Sequence, residues 1–247
     1  VLFFPGLHHP CDARHFERCM VSINALEGRT SDFKARDWML DSAAFSQISM
    51  RGEFRLSVED YAGEIKRWSR CGKLLAAVSQ DYMCEPWLFF KTGLTLEDHQ
   101  RLTIERYDAL RSLIGCDMYI MPVLQGHAPV QYVRHLRDYG NRLQEGQWVG
   151  VGSVCKRNAR IDGIESVLVA IEQARPDLRL HGFGVKLTAL ASSVVRDRLY
   201  SADSMAWSAA ARRQGRDRND WREARAFAER IESQAVRQRS AQSTLLF

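Results

Sequence analysis

Seven short apolar runs, each followed by a longer amphipathic stretch, set the strongest limit on how this chain folds. The runs lie at 1–4, 38–41, 74–79, 118–124, 147–154, 179–184 and 199–206. Apolar residues recur at the helical period near 12–26, 57–70, 95–113, 129–139, 160–174 and 187–197, and again at about 218–239. Buried strands that alternate with helices call for parallel strands joined by helical crossovers. Ser57-Val58-Glu59-Asp60 and Thr95-Leu96-Glu97-Asp98 each place a capping hydroxyl before first-turn acids, which marks two helix starts. A length of 247 residues suits one barrel of eight strand–helix units, which takes about 250. The expected fold is therefore α/β, a TIM-type (β/α)8 barrel forming a single domain over 1–247; an open doubly wound sheet is the alternative. Seven units are visible rather than eight, and Leu245-Leu246-Phe247 is the candidate for an irregular eighth.

The net charge of +5 is unevenly placed. Arg212, Arg213, Arg216, Arg218, Arg222, Arg225, Arg230, Arg237 and Arg239 crowd a segment read as a basic C-terminal helix over about 212–240. Arginine forks match phosphate geometry. From Arg222 onward, phosphate contact and a solvated face paired with Glu223, Glu229 and Glu232 are equally good readings. Arg212, Arg213 and Arg216 have few acidic neighbours in sequence, so they are expected on phosphate. No apolar stretch reaches the roughly 18 residues of a membrane helix, and the first run lacks the length and basic flank of a signal peptide. A cytoplasmic protein with no membrane partner is the expectation. The six cysteines form no CxxC pair and are read as free thiols.

Polar residues gather where the strands end. Leu40-Asp41-Ser42-Ala43-Ala44-Phe45, Ser79-Gln80-Asp81-Tyr82-Met83-Cys84-Glu85-Pro86, Leu124-Gln125-Gly126-His127, Gly150-Val151-Gly152 and Ala202-Asp203-Ser204 all follow apolar runs. In a parallel barrel these ends open on one face, so Asp41, Asp81 and Asp203 are expected to share one mouth. A carboxylate at the end of a buried strand costs free energy unless it is paired or used; the structural alternative is a helix N-cap. Several carboxylates at one mouth suit substitution at an anomeric carbon, where one group attacks and another protonates the leaving group. Glycines allow close approach of a flat base, and a glutamine with an aspartate can read a purine edge.

These segments resemble the tRNA-guanine transglycosylase superfamily. Asp41-Ser42-Ala43-Ala44-Phe45 is similar to its Asp-Ser-Gly-Gly-Phe-Gln motif. Asp81 with Cys84 and Pro86 resembles its Asp-Glu-Cys-x-Pro segment, and Val123-Leu124-Gln125-Gly126 its Val-Gln-Gly segment. Gly150 and Gly152 resemble the Gly-Gly strand under the base. Gly182-Phe183-Gly184 followed by Asp203 resembles Gly-Val-Gly followed by Asp-x-Phe-Asp. Arg18-Cys19-Met20-Val21-Ser22-Ile23-Asn24 and the segment around Asp81 look like the DNA-modifying branch, the DpdA-type proteins that insert 7-deazaguanines such as preQ0 (7-cyano-7-deazaguanine) into DNA. Two departures stand out: alanines replace both glycines after Asp41, and the structural zinc cysteines of the tRNA enzymes are missing.

The resemblance implies a pentosyltransferase that exchanges guanine in DNA for a free deazaguanine base through a covalent glycosyl intermediate. Asp203 would be the nucleophile and Asp41 the acid and then base. Asp81, Gln125, Ser42 and an amide of Gly150 or Gly152 would hold the base, with Tyr82 or Met83 over its face. Lys156, Arg157, Arg212, Arg213 and Arg216 would meet the nucleic-acid backbone. No metal and no cofactor are expected. Any ATP-driven step would fall to a partner ATPase or another modification-system protein, since no phosphate-binding GxxxxGK loop is present. The setting would be a bacterial or phage-infected cell. The alternatives are a zinc-free enzyme acting on tRNA, a base-releasing glycosidase, and a non-catalytic nucleic-acid-binding barrel. His8, His9, Cys11, His15 and Cys19 fit no standard zinc spacing. His8 or His9 is expected at the barrel mouth, His127 near substrate, and His181 in the core.

Overall fold

The computed structural model describes the backbone of residues 1–154 and 161–244, and side chains through residue 233. Nine strands form one sheet in which every pairing is parallel. They are β1 (Leu2–Leu7), β2 (Arg18–Ser22), β3 (Asp37–Asp41), β4 (Lys73–Val78), β5 (Ile120–Met121), β6 (Val123–Leu124), β7 (Trp148–Val151), β8 (Arg179–Gly182) and β9 (Leu199–Ser204). The spatial order is β5-β4-β3-β2-β1-β9-β8-β7-β6. The two ends of this order are separated in the chain by Pro122 alone, so the sheet curls into a nearly closed, TIM-like barrel. Proline has no N–H for the ladder. Below it the strand pairs with β4, and above it with β7.

Strand periodicity sorts the side chains into two layers. Phe4, Met20, Met39, Ala76, Val78, Met121 and Val123 fill the barrel interior. Their neighbours Phe3, Cys19, Val21, Trp38, Leu40 and Ala77 face the outer core instead. That core packs against α2 (Val58–Trp68), α4 (Leu96–Ile114), α5 (Pro129–Tyr139), α6 (Ile161–Ala174), α7 (Leu187–Leu190), α8 (Ser193–Arg198), α9 (Ala206–Arg213) and α10 (Trp221–Thr244), whereas α1 (Ala44–Arg51) and α3 (Pro86–Thr92) pack in a separate cluster with Phe54, Tyr82 and Met83. Ser57 and Thr95 cap α2 and α4 as expected, the latter with a full capping box.

Two expectations are corrected. The stretch 12–26 is not a helix: it is a 3-10 turn (Pro10–His15), strand β2 and a second 3-10 turn (Ile23–Leu26). Ala13, Phe16, Cys19, Ile23 and Leu26 are all buried and happen to fall at helical spacing, although strand and turns bury them. Strand β2 takes its place in the parallel array between β1 and β3; residues 245–247 lie outside the described residues. The first two crossovers hold only these 3-10 turns, so the alternation departs from a strict (β/α)8 pattern.

The basic segment is not one helix over 212–240. It is helical to Arg213, turns through Gly215 (φ 69°), and is helical again from Trp221. Ala224, Phe227 and Ile231 of α10 are buried, and Phe227 lies 5.9 Å from Phe3 of β1. The helix therefore covers the side of β1 that lacks a crossover helix. No helix among the described residues is long and apolar enough to cross a membrane.

Candidate active site

A cavity of about 680 Å³ opens at the C-terminal ends of the strands, the face where barrel enzymes carry their chemistry. Asp41, Asp81, Gln125, Gly152 and Asp203 line it together. Strand parity places the first and last of these. Met39 points into the barrel, so Asp41 two residues on does too. Asp203 lies in register with Phe4, another interior residue.

Like charges in a desolvated pocket raise carboxylate pKa values. Burial, then the neighbouring Asp203 charge, lifts Asp41 to about 6, against opposing hydrogen bonds from Ser22 and the Ala43 amide. Burial lifts Asp81 to about 7, with Asp41 and Glu85 adding to the rise and a hydrogen bond from Gln125 opposing it. Asp41 thus titrates near neutrality, where a group that gives and then takes a proton works best.

Asp81 belongs to a buried polar chain. Gln125 Nε2 donates to Asp81 Oδ2. Ser153 Oγ lies 2.8 Å from Gln125 Oε1 and 2.9 Å from Glu85 Oε2, and it accepts from the Cys84 amide at 2.9 Å. Ser153 holds a left-handed backbone (φ 55°), uncommon without glycine. The need for glycine at 152 is steric: a Cβ there would sit 2.1 Å from Gln125 Nε2.

Asp203 is anchored through one oxygen. Its Oδ1 accepts from the Gly184 amide at 3.0 Å and lies 3.4 Å from His181 Nε2. Phe183, Met83 and Met205 give the cavity its apolar walls. Gly6 makes room for Met205, whose Sδ would lie 2.6 Å from a Cβ at that position.

Several expected contacts are not found here. Ser42 is buried beside Asp41 but points away from the cavity, as alternation along the chain requires, and its Oγ has no hydrogen-bond partner among the described residues. Gly150 lies deeper, beneath the Phe183 ring, and is not in the cavity wall. Neither glycine amide is available to a base, because Gly150 N donates to Pro122 O and Gly152 N to Leu124 O, both at 2.9 Å. Tyr82 packs on Phe54 and His99 behind the wall, whereas Met83 reaches the cavity. His8 lines the mouth and bonds Ser208 at 2.8 Å; desolvation, then His9 and Arg218, lowers its pKa. His127 is exposed and outside the wall.

His15 stacks on Trp221 at 4.0 Å and Cys19 is buried in the core, its thiol pushed up to about 12 by desolvation. Among the described residues no group of three or more His, Cys, Asp or Glu is placed to hold a metal. Arg216 pairs with Glu223 at 2.5 Å. Arg212 and Arg213 are exposed at the end of α9 and make no ion pair among the described residues. Arg222 and Arg225 lie over the Trp221 ring, so packing employs that part of the basic helix. Lys156 and Arg157 lie outside the described residues.

The sequence reading missed Glu85 and Ser153 as members of the buried chain, Phe183 and Met205 as walls, and His181 beside Asp203. The available signal for His181 was a polar residue within an apolar strand run.

A family model described as "DpdA: DeoxyPurine in DNA protein A" matches residues 5–222, and no curated protein matches the chain.

Proposed function

The chain belongs to the DpdA (DeoxyPurine in DNA protein A) family, and on that premise we propose that it exchanges a guanine of DNA for a preQ0-type 7-deazaguanine through a glycosyl ester of Asp203. The observation that carries this reading is the convergence of Asp41 and Asp203 on one cavity, with the Asp81–Gln125 pair at its side. Membership of the family supports a DNA-modifying, transglycosylase-like role in general; the steps below are the proposal.

The target nucleotide leaves the duplex to reach the cavity. Asp203 Oδ2, the oxygen not engaged by Gly184, attacks C1′. The C1′–N9 bond breaks as Asp41 gives its proton to the departing guanine. The deazaguanine then enters, loses its ring N–H proton to the Asp41 carboxylate, and attacks C1′, which returns Asp203 as a carboxylate. One group serves as acid and then base because the two half-reactions mirror each other. Ionised Asp81 accepts from N1–H and the 2-amino group of either base. Gln125 has two N–H donors; one goes to Asp81, and the other is offered to the base. Phe183, Met83 and Met205 sandwich the ring.

Outside the mouth, Arg212 and Arg213 meet flanking phosphates. The short helices α1 and α3 carry no acidic residue and present exposed Phe45, Trp87 and Phe90 beside Arg51 and Lys91, a mixture suited to unstacked bases.

The test is incorporation of radiolabelled guanine into DNA and, separately, into tRNA. Label entering DNA with wild type but not with Asp203→Ala supports the proposal. Label entering only tRNA overturns the polymer, and no label in either overturns the exchange.

A further inference from the structure

The residues behind Asp203 form a chain that no step above uses. Trp148 Nε1 donates to Ser201 Oγ at 2.7 Å, and Ser201 Oγ lies 2.9 Å from His181 Nδ1. His181 Nε2 lies 3.4 Å from Asp203 Oδ1 and has no other partner among the described residues, although His181 and Ser201 are completely buried. The four side chains come from β7, β8 and β9, and the strand register sets them side by side: Gly150 pairs with His181, and His181 with Ser201.

Donor counting argues for one tautomer. An indole N–H can only donate, so Ser201 oxygen accepts from Trp148 and its own hydrogen still needs an acceptor. The unprotonated Nδ1 of His181 is that acceptor. The ring proton therefore sits on Nε2, which faces the carboxylate. A buried N–H without a partner is costly, and Asp203 Oδ1 is the acceptor in front of it. The ring cannot swing away: Phe183 lies against it at 4.7 Å, Trp148 at 6.0 Å and Phe4 at 6.3 Å.

We propose that His181 is a positioning residue that holds Asp203 Oδ1 through its Nε2–H, with Ser201 and Trp148 fixing its tautomer, so that Oδ2 alone is presented for attack. The proposal rests on the reading of Asp203 as the nucleophile. Catalytic hydrogen bonds are often long before substrate binds, and 3.4 Å fits such a contact. The role is unequal between the two half-reactions. When the ester forms, Oδ1 becomes a carbonyl oxygen and the Nε2–H bond weakens. When the ester C1′–Oδ2 bond breaks, the electron pair returns to the carboxylate and the bond regains its strength. His181 thus stabilises the carboxylate as a leaving group, and its loss slows resolution of the intermediate.

The test compares wild type, His181→Phe, His181→Gln and Ser201→Ala in guanine exchange on DNA, with denaturing gels that detect the covalent DNA–protein species. Phenylalanine keeps ring packing without the donor, while glutamine can return an N–H near Nε2. Loss of one hydrogen bond to a charged group predicts a fall in kcat of about 10- to 100-fold for His181→Phe. KM for the free base should stay within about twofold, since the base edge is read elsewhere. The covalent species should build up, Ser201→Ala should fall between, and His181→Gln should recover most of the rate. A purely structural role would lower activity in both His181 variants alike and would not raise the trapped fraction. His181→Phe turning over at the wild-type rate, or His181→Gln as slow as His181→Phe, overturns the proposal. Failure of the parent reading looks different: wild type itself then forms no covalent species, or Asp203→Ala still exchanges.

Discussion

Gly152→Ala isolates the geometry on which the Asp81–Gln125 end of the cavity depends. The new Cβ would lie 2.1 Å from Gln125 Nε2 and 2.6 Å from its Cδ, whereas ordinary contact begins at 3.4 Å. The amide must therefore retreat by about 1.3 Å, farther than a hydrogen bond tolerates. Two bonds are lost together: the donation to Asp81 and the contact with Ser153 at 2.8 Å. A charged-acceptor bond and a neutral one are worth together about 2–4 kcal/mol when buried partners are left behind. For a chain of this length that lowers Tm by roughly 4–16 °C. The assay is urea or thermal unfolding of Gly152→Ala, Gln125→Ala and the double variant. Truncating Gln125 removes the collision, so the double variant should be little less stable than Gln125→Ala alone, with a coupling energy of about 2 kcal/mol. A Gly152→Ala cost below about 0.5 kcal/mol, or additive costs in the double variant, would refute the reasoning.

Other expectations concern charge. Asp81 has a folded pKa of about 7, above its unfolded value, so the folded state holds a proton that the unfolded chain has released. The stability penalty is absent below the unfolded pKa near 4, grows as pH rises, and is complete above about 7, where it amounts to a few kcal/mol. Asp81→Asn should therefore gain stability over wild type at pH 8 but not at pH 4; equal melting temperatures at pH 8 would contradict the burial. Base affinity measured by calorimetry should tighten as pH rises towards 7, because Asp81 must ionise to accept N1–H, and a flat profile would speak against that role. Arg212→Ala/Arg213→Ala should weaken DNA binding and flatten its salt dependence, whereas Arg216→Ala, already paired with Glu223, should change the salt slope little. Equal losses in the two variants would argue against the division.

Much of the fold was legible because buried parallel strands write themselves as short apolar runs. β2 escaped because Ala13, Phe16, Cys19, Ile23 and Leu26, buried by two turns and a strand, reproduce the spacing of a helix. Periodicity reports which residues are buried, and cannot say which backbone buries them. At the site, Asp41, Asp81, Gln125 and Asp203 were legible as polar residues at strand ends. Ser42 and Gly150 were not separable from them by motif, although strand parity argues against Ser42 and depth along the strand against Gly150. The glycine amides fail for a general reason: inside a parallel ladder an N–H is already spent on the neighbouring strand. Arg216 looked free because Glu223 is seven residues away and meets it only once the chain turns through residues 217–220. Ala43 is instructive in the other direction. It keeps a left-handed backbone (φ 60°) where the tRNA-guanine transglycosylase motif that it resembles has glycine, so the turn after Asp41 forms with alanine at some strain.

The break at Pro122 has a mechanical consequence. The strand that closes the barrel is handed from β4 to β7 at its middle, and above that point no strand pairing joins β4 to β6. The two sides are laced there by side chains instead: Gln125 on Asp81, and Ser153 on the Cys84 amide and Glu85. A ligand gripped by both Asp81 and Gln125 would tighten the lace. The barrel is built like a hoop with a clasp, and the clasp is the place where the proposed reaction would hold its base. Amide exchange around residues 79–82 and 123–126 should therefore slow, ahead of the rest of the wall, when a base fills the cavity.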